Sequence, residues 1–191
     1  MKSINIYKLA TCILALTFSY SLFAQKESDM DKLFWSDRDR ITIDDFGIKS
    51  TDTKSGLSSA AFSLEYNVNG LNFMTKNFNK RVWHYMLRSA SQITLDENVD
   101  IYIRYQQTLF DLEEIYVRKF RKALSENRKK FLLRNAFADE LKDEIIGTDL
   151  LKRQTEYNNE TNAAKIEEKQ KQWEAQIKRE LNELKDYAYD K

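Results

Sequence analysis

Few side chains in this chain of 191 residues could carry hydrolytic or metal chemistry. It has one histidine, His84, and one cysteine, Cys12. A catalytic zinc site usually needs two or three histidines, and a structural zinc site or a disulfide framework needs several cysteines. Nucleophilic catalysis of the Ser-His or Cys-His type would have to use His84. The composition therefore excludes most common hydrolytic sites, and we expect His84 to be a surface or half-buried histidine rather than a catalytic one.

The first 24 residues have the pattern of a secretory signal peptide. Lys2 and Lys8 accompany an apolar run from Leu9 to Phe23, and Ala24 is followed by a polar stretch. This run is shorter than the roughly 20 residues that a membrane-spanning helix needs. We expect cleavage after Ala24 and a single secreted or periplasmic domain, residues 25–191, with no transmembrane span after cleavage.

The mature chain is close to electrical neutrality. Removing Lys2 and Lys8 from 31 basic residues leaves 29, against 30 acidic residues. This balance gives no electrostatic reason to expect nucleic acid as a partner. The basic run from Arg118 to Lys130 is interrupted by Glu126, which favours a solvated helix face. The many aromatic residues are attributed mainly to packing, with a carbohydrate or peptide groove as the alternative.

In the first half of the mature chain, the sequence predicts strands as the elements that would position a functional site. The runs AAFSLEYNV and LNFMTKNF flank Asn69-Gly70, a strong hairpin signal. Ile41 and Ile43 alternate with polar residues, which predicts a further short strand. Strands are therefore expected within about residues 41–78, with a loop over 48–58, and residues 79–95 fit either a strand or a helix.

Helices are expected from about residue 100 to residue 190. A stripe of apolar residues from Ile101 to Leu124 recurs at spacings of three and four, which predicts one long amphipathic helix. A second helix is predicted over Phe131–Leu151 and a third over Ala163–Tyr187. Strands followed by helices indicate an α+β fold, with a small antiparallel strand region followed by three long helices.

Residues 104–124, RYQQTLFDLEEIYVRKFRKAL, resemble the signature helix of a family of secreted bacterial proteins predicted to be zinc-dependent proteases. That helix runs approximately HEQGHFDIAELYARKLRKAL. The resemblance extends to RITIDDFGIKS (40–50), similar to the segment LTWxDFxG, and to YNNETNAAKIEEKQKQW (157–173), similar to YDxETxHGxxxxxQxxW. It covers roughly residues 33–185 and implies a zincin-like arrangement. The matching residues of the signature helix are Phe110, Asp111, Glu114, Tyr116, Arg118, Lys119 and Arg121.

The departures from this family concern its metal site. An HExxH motif places two histidines on one helix face, and the glutamate between them is the general base. Here the five positions read YQQTL, with Tyr105 and Leu109 in place of the histidines and Gln106 in place of the glutamate. Ala163 stands where the family has a further histidine, plausibly the third ligand. The resemblance therefore implies no metal, no cofactor and no catalytic residue, with the former site filled by apolar atoms.

For three residues that match the family's signature helix, the sequence is compatible with two roles. Asp111 is either inherited support for the former site or a simple polar flank. Glu114 and Arg118 are either similar support or an ordinary i, i+4 helix ion pair worth a few tenths of a kcal/mol.

The function expected from the resemblance is that of a catalytically inactive relative of a secreted zinc protease. Such a protein would act as a binding or interaction protein of the cell envelope, with an unknown protein or peptide as its partner. One alternative is an active secreted hydrolase that uses unrecognised residues. Another is a structural envelope protein that pairs through its C-terminal helix, Ala163–Tyr187.

Overall fold

The computed structural model describes residues 30–52, 58–68, 74–132 and 136–190. The expected signal peptide and the Asn69-Gly70 turn lie outside these residues. The described chain is α+β, as predicted, with a small sheet followed by helices. The strands are β1 (Lys32–Phe34), β2 (Ile48–Ser50), β3 (Ser59–Tyr66) and β4 (Val82–Thr94).

The sheet is built around β4, which has 13 residues. β3 runs antiparallel along one side of β4, with Tyr66 opposite Val82. β1 and β2 share the other side, where β1 is antiparallel to β4 and β2 is parallel to it. The sheet is therefore mixed, and the expectation of a purely antiparallel strand region is wrong because β2 runs in the same direction as β4.

The strand boundaries also differ from the predicted range of residues 41–78. The longest strand, β4, comes from the segment 79–95 that fitted either a strand or a helix, and β1 precedes the range. β4 is the partner of β3, whereas residues 74–78, the described part of the predicted partner run, form no strand. β2 occupies part of the segment predicted as a loop.

The prediction of a short strand at Ile41 and Ile43 is also wrong. Residues Ile43–Asp45 form a 3-10 helix. The carboxylate of Asp45 accepts hydrogen bonds from the backbone N–H and the hydroxyl of Thr42, both at 2.8 Å. These bonds turn the chain at the position where a strand would have to continue.

Gly47 lies where two backbone segments approach closely. Its N–H donates to the carbonyl oxygen of Arg88 at 2.8 Å, and a Cβ at this position would lie only 2.8 Å from the same oxygen. The Arg88 side chain also binds Asp45, with its Nε 2.9 Å from the Asp45 carboxylate. The segment that resembles LTWxDFxG thus attaches the chain before β2 to β4, and only glycine fits the contact.

Four α-helices are present in the described chain: α1 (Val99–Asn127), α2 (Phe137–Lys142), α3 (Leu151–Thr161) and α4 (Glu167–Glu183). A π-helical stretch, Asp143–Leu150, joins α2 to α3 without a break. The chain therefore has three long helical segments, but the second covers residues 137–161 rather than 131–151, and the third begins at 167 rather than 163. No helix of the described chain is long and apolar enough to cross a membrane.

α1 is the central element and packs on three sides. Its first half covers the sheet through Phe110, beside buried Ile41, Phe46, Met86 and Ile93. Its last turns meet α2 in a second cluster. A third cluster, here called the α3–α4 core, joins α1 to the other helices. Its buried members are Leu112, Ile115, Tyr116, Leu150, Tyr157, Trp173, Ile177 and Leu181.

Candidate functional site

Two of the three residues at the positions that the resemblance assigns to ligands, Tyr105 and Leu109, lie at one helix contact. The ring of Tyr105 stacks on Tyr157 of α3, with centroids 5.8 Å apart, and its hydroxyl donates to Oδ1 of Asn158 at 2.7 Å. Leu109, one turn further along α1, packs against the α3–α4 core, as Tyr105 does. Both side chains therefore contribute apolar surface between α1 and the helices packed on it, and Tyr105 adds a hydrogen bond to α3.

Gln106 faces the sheet and is only 3% exposed. Its Nε2 donates to the carbonyl oxygen of Ser58 at 3.0 Å, and its Oε1 accepts from the N–H of Ala60 at 3.2 Å. The side-chain amide thus pairs with the backbone at the beginning of β3 as a neighbouring strand would. This pairing, called here the Gln106 clamp, uses both a donor and an acceptor, and a carboxylate supplies only the acceptor.

Ala163 lies exposed in the turn between α3 and α4, a few residues after the Tyr157 and Asn158 that contact Tyr105. Three consecutive non-glycine residues have positive φ in this turn: 49° at Asn162, 53° at Ala163 and 67° at Ala164. The left-handed region costs an ordinary L-residue roughly 1–2 kcal/mol. Where this chain has two alanines, the resembling motif has His-Gly, and those residue types occupy left-handed positions more readily than alanine.

Replacing Ala163 with glycine is therefore expected to stabilise the protein by about 0.5–1 kcal/mol, because relief of left-handed strain exceeds the added freedom of the unfolded chain. The matched control is Ala175→Gly at an exposed position inside α4, which should lose about 1 kcal/mol. Urea unfolding followed by circular dichroism measures both. Equal destabilisation by the two substitutions would show that residue 163 is not left-handed in solution.

A buried charge cluster lies in the middle of α1. Oε1 of Glu114 accepts from Nε of Arg118 at 3.0 Å and from Nη1 of Arg121 at 2.7 Å, and Oε2 lies 3.1 Å from Nδ1 of His84. Burial alone would raise the pKa of Glu114, but the His84 hydrogen bond and the charges of Arg121, His84 and Arg118 lower it to about 2. We call Glu114, His84, Arg118 and Arg121 the Glu114 cluster.

His84 is 3% exposed, so the expectation of a surface or half-buried histidine is wrong. It lies on the central strand, under α1, which a sequence pattern open to either helix or strand could not reveal. Its Nε2 lies 3.3 Å from Glu113, so both ring nitrogens face carboxylates. Burial lowers the pKa of His84, but the hydrogen bonds to Glu113 and Glu114 outweigh it and raise the pKa overall. The two carboxylates therefore favour the protonated form of His84, which joins β4 to α1.

The ion pair expected between Glu114 and Arg118 is present, but both side chains are buried. The few tenths of a kcal/mol that an exposed helix ion pair contributes therefore do not apply here, because a buried charge is costly without its partner. Nη1 of Arg118 donates to the carbonyl of Leu181 at 2.6 Å, and Nη2 of Arg121 donates to the carbonyl of Val82 at 3.1 Å. The Glu114 cluster thus connects α1 to the sheet and to the end of α4.

Asp111 attaches the N-terminal segment to α1. Its carboxylate accepts two hydrogen bonds from Arg40, at 2.6 and 3.1 Å, and one from the indole N–H of Trp35 at 2.9 Å. Gln107 also donates to Asp111 at 2.9 Å and accepts the N–H of Ile41 at 2.7 Å. The contacts give Asp111 a structural role in holding residues 35–41 against the helix.

The matching residues of the stretch 157–173 also make structural contacts. The hydroxyl of Tyr157 donates to Oε1 of Gln170 at 2.8 Å, and Nε2 of Gln170 donates to Thr108 of α1 at 2.8 Å. The indole of Trp173 donates to Glu160 at 3.0 Å. These buried bonds fix α3 and α4 to each other and to α1.

A cleft of about 600 Å³ lies between α1 and α4. We call it the α1–α4 cleft. Its guanidinium groups are already paired with carboxylates of the same cleft: Arg40 with Asp111, and Arg104 with Glu174 at 2.6 Å. Hydrogen bonds from Arg104 contribute to lowering the pKa of Glu174, although burial opposes them. Most of the charged side chains that line this cleft are therefore paired with each other.

A second cleft, of about 500 Å³, lies where the two ends of the described chain meet. Residues 35–39 form one wall, residues 185 and 188–190 form the other, and Arg118 lines it from α1. We call it the terminal cleft. Sequence reasoning missed it because its walls are more than 140 residues apart in the chain.

No protein-family model matches this chain, and searches of the curated proteins and of the solved structures return no significant match. Within the described ranges, no group of three or more His, Cys, Asp or Glu side chains is placed to hold a metal ion.

Proposed function

We propose that this protein is a non-catalytic relative of the secreted zinc-dependent proteases that its sequence resembles, with a zincin-like arrangement, and that it acts as a binding protein of the cell envelope. The observation that carries the proposal is the use made of the former site. Tyr105 and Leu109 pack between α1 and α3, and Gln106 clamps the beginning of β3. These positions have taken on structural contacts that a metal site could not make.

The remaining resemblance supports a retained scaffold. Asp111 holds the N-terminal segment, Gly47 lies against β4, and Tyr157 with Gln170 joins α3 and α4 to α1. Residues that match the family thus make contacts between elements distant in sequence. This pattern is expected where a fold is conserved while the chemistry at its centre is lost.

The proposal is tested by returning the three ligands without touching the clamp. The variant Tyr105→His, Leu109→His, Ala163→His keeps Gln106, because the family's glutamate is a base and not a ligand. A matched control, Lys122→His with Glu126→His, places two histidines at i, i+4 on the exposed side of the same helix. Zinc binding to both variants and to the wild type is measured by isothermal titration calorimetry.

We expect the triple variant to bind one zinc ion per chain at least about tenfold more tightly than the control, since a third ligand converging on two others strengthens the site. Equal affinities would mean that residues 105, 109 and 163 do not converge, and the family relationship would be rejected. Hydrolysis of a fluorogenic peptide by the purified wild type, lost on changing Gln106 to Ala, would favour the active hydrolase instead.

A further inference from the structure

The terminal cleft has a buried polar group without a partner. Nη2 of Arg118 makes no hydrogen bond to any described residue, although the side chain is 2% exposed and its other two nitrogens bind Glu114 and Leu181. An unsatisfied buried donor destabilises the folded chain, and more so when it is charged. The guanidinium carbon lies 4.8 Å from the centre of the Trp35 ring, so Arg118 and Trp35 form one corner of the cleft.

The rim of this cleft carries charges of both signs that are not used within the described chain. Arg38 and Lys185 are cations and Asp37, Asp39 and Asp190 are anions, and no ion pair joins any of them to another described residue. The α1–α4 cleft also carries such charges, at Asp37, Asp100 and Lys178, but its guanidinium groups are paired, whereas Arg118 in the terminal cleft keeps a nitrogen without a described partner. A ligand that carries both a positive and a negative group therefore finds an opposite charge for each on this rim.

The walls add aromatic surface to these charges. Tyr189 is 43% exposed and its hydroxyl accepts from the indole of Trp83 at 3.2 Å, while Trp35 lies on the opposite wall. A volume of about 500 Å³ lies in the range that holds drug-sized ligands, enough for a few amino-acid residues. Aromatic walls with a few polar groups are typical of small-ligand sites.

We propose that the terminal cleft binds a short peptide with both termini free. Its carboxylate lies toward Arg118 and Lys185, where Nη2 of Arg118 gains the missing acceptor. Its amino group lies toward the rim aspartates, and its side chains contact Trp35 and Tyr189. Because Nη2 is covered in the free chain, entry of the carboxylate displaces the covering side chains, and the indole environment of Trp35 changes. The assignment rests on the proposed function, since it names the ligand class of that binding protein.

The test uses the full mature chain and the tripeptide Ala-Ala-Phe as probe, compared with its C-terminally amidated form. Affinity is measured by calorimetry and the location by shifts of the tryptophan indole signals in NMR spectra. We expect saturable binding, a shift at Trp35, and about tenfold weaker binding of the amide, because a charge-assisted hydrogen bond is lost.

Rim variants keep the test independent of folding, since Arg118 is buried and its replacement could unfold the chain. Lys185→Ala should weaken binding of the free peptide several-fold. Lys178→Ala, an exposed lysine of the α1–α4 cleft, is the matched control and should leave binding unchanged. Absence of binding at millimolar peptide, equal affinity of the acid and amide forms, or a larger effect of Lys178→Ala would overturn the site. Those results leave the zinc experiment unaffected, so failure of the site and failure of the proposed function are distinguishable.

Discussion

Replacing Glu114 by glutamine is expected to remove about 3–5 kcal/mol from the free energy of unfolding. The substitution preserves shape but removes the negative charge that Arg118, Arg121 and His84 surround. All four side chains are almost fully buried, so water cannot compensate the remaining cations. The amide would also direct a donor toward groups that are themselves donors.

Urea unfolding at neutral pH, followed by circular dichroism, measures this loss. The matched control is Glu113→Gln, the neighbouring carboxylate, whose side chain is 19% exposed. It should cost much less, because water reaches Glu113 and His84 keeps its bond to Glu114. A loss below about 1 kcal/mol for Glu114→Gln, or equal losses for the two variants, would contradict the buried charge cluster.

Stability is expected to fall steeply in acid for the same reason. The surrounding cations lower the pKa of Glu114 from its ordinary value of 4.5 to about 2. A lowered carboxylate pKa stabilises the folded chain above the unfolded value and loses this contribution as pH falls toward the folded value. The shift corresponds to about 3 kcal/mol, lost between roughly pH 5 and pH 2.

The contribution of His84 to stability depends on pH in the opposite direction to that of Glu114. The pKa of His84 is raised, so its contribution is fully present below its unfolded value of 6.5 and is lost as pH rises through the folded value. Urea unfolding of the wild type from pH 3 to pH 9 should therefore show maximal stability between about pH 5 and 6.5. A stability that stays constant down to pH 3 would show that Glu114 is not held as a buried anion.

The helical half of the fold was predictable because its pattern is local. Apolar residues three and four positions apart define α1, and Leu112, Tyr116, Phe120 and Leu124 of that stripe are buried. The boundaries of the later helices were not predictable to the same extent. α3 ends in a left-handed cap at Asn162, a residue type known for such caps, but the two left-handed alanines that follow it have no sequence signal.

The sheet was harder to predict because its pairing is not local. β4 carries buried Ser91 and His84 among its apolar residues, so its pattern does not read as a strand. Its partner β1 lies about 50 residues earlier in the chain. The 3-10 turn at Ile43 depends on the Thr42–Asp45 hydrogen bonds, which outweigh the alternation of Ile41 and Ile43.

For the charged residues, too, the sequence predicted a contact within one helix but not contacts between elements. The i, i+4 spacing of Glu114 and Arg118 correctly gave a contact, because helix geometry alone brings them together. Their burial depends on β4 and on the chain after α4, whose positions the spacing does not contain. The membership of Arg121 and His84 in the Glu114 cluster therefore depends on tertiary contacts that the sequence does not reveal.

The Gln106 clamp has a consequence for how such a protein could change over time. Under the proposed function, a zinc site would be restored by changes at three positions, 105, 109 and 163, none of which holds the sheet. A general base at that site would require a fourth change, Gln106→Glu, which would set a negative oxygen against the Ser58 carbonyl and is expected to weaken the attachment of the first residues of β3. If the proposed function is right, metal affinity and turnover are separable traits, and a variant that binds the ion would remain inactive until the beginning of β3 had another hydrogen-bond partner.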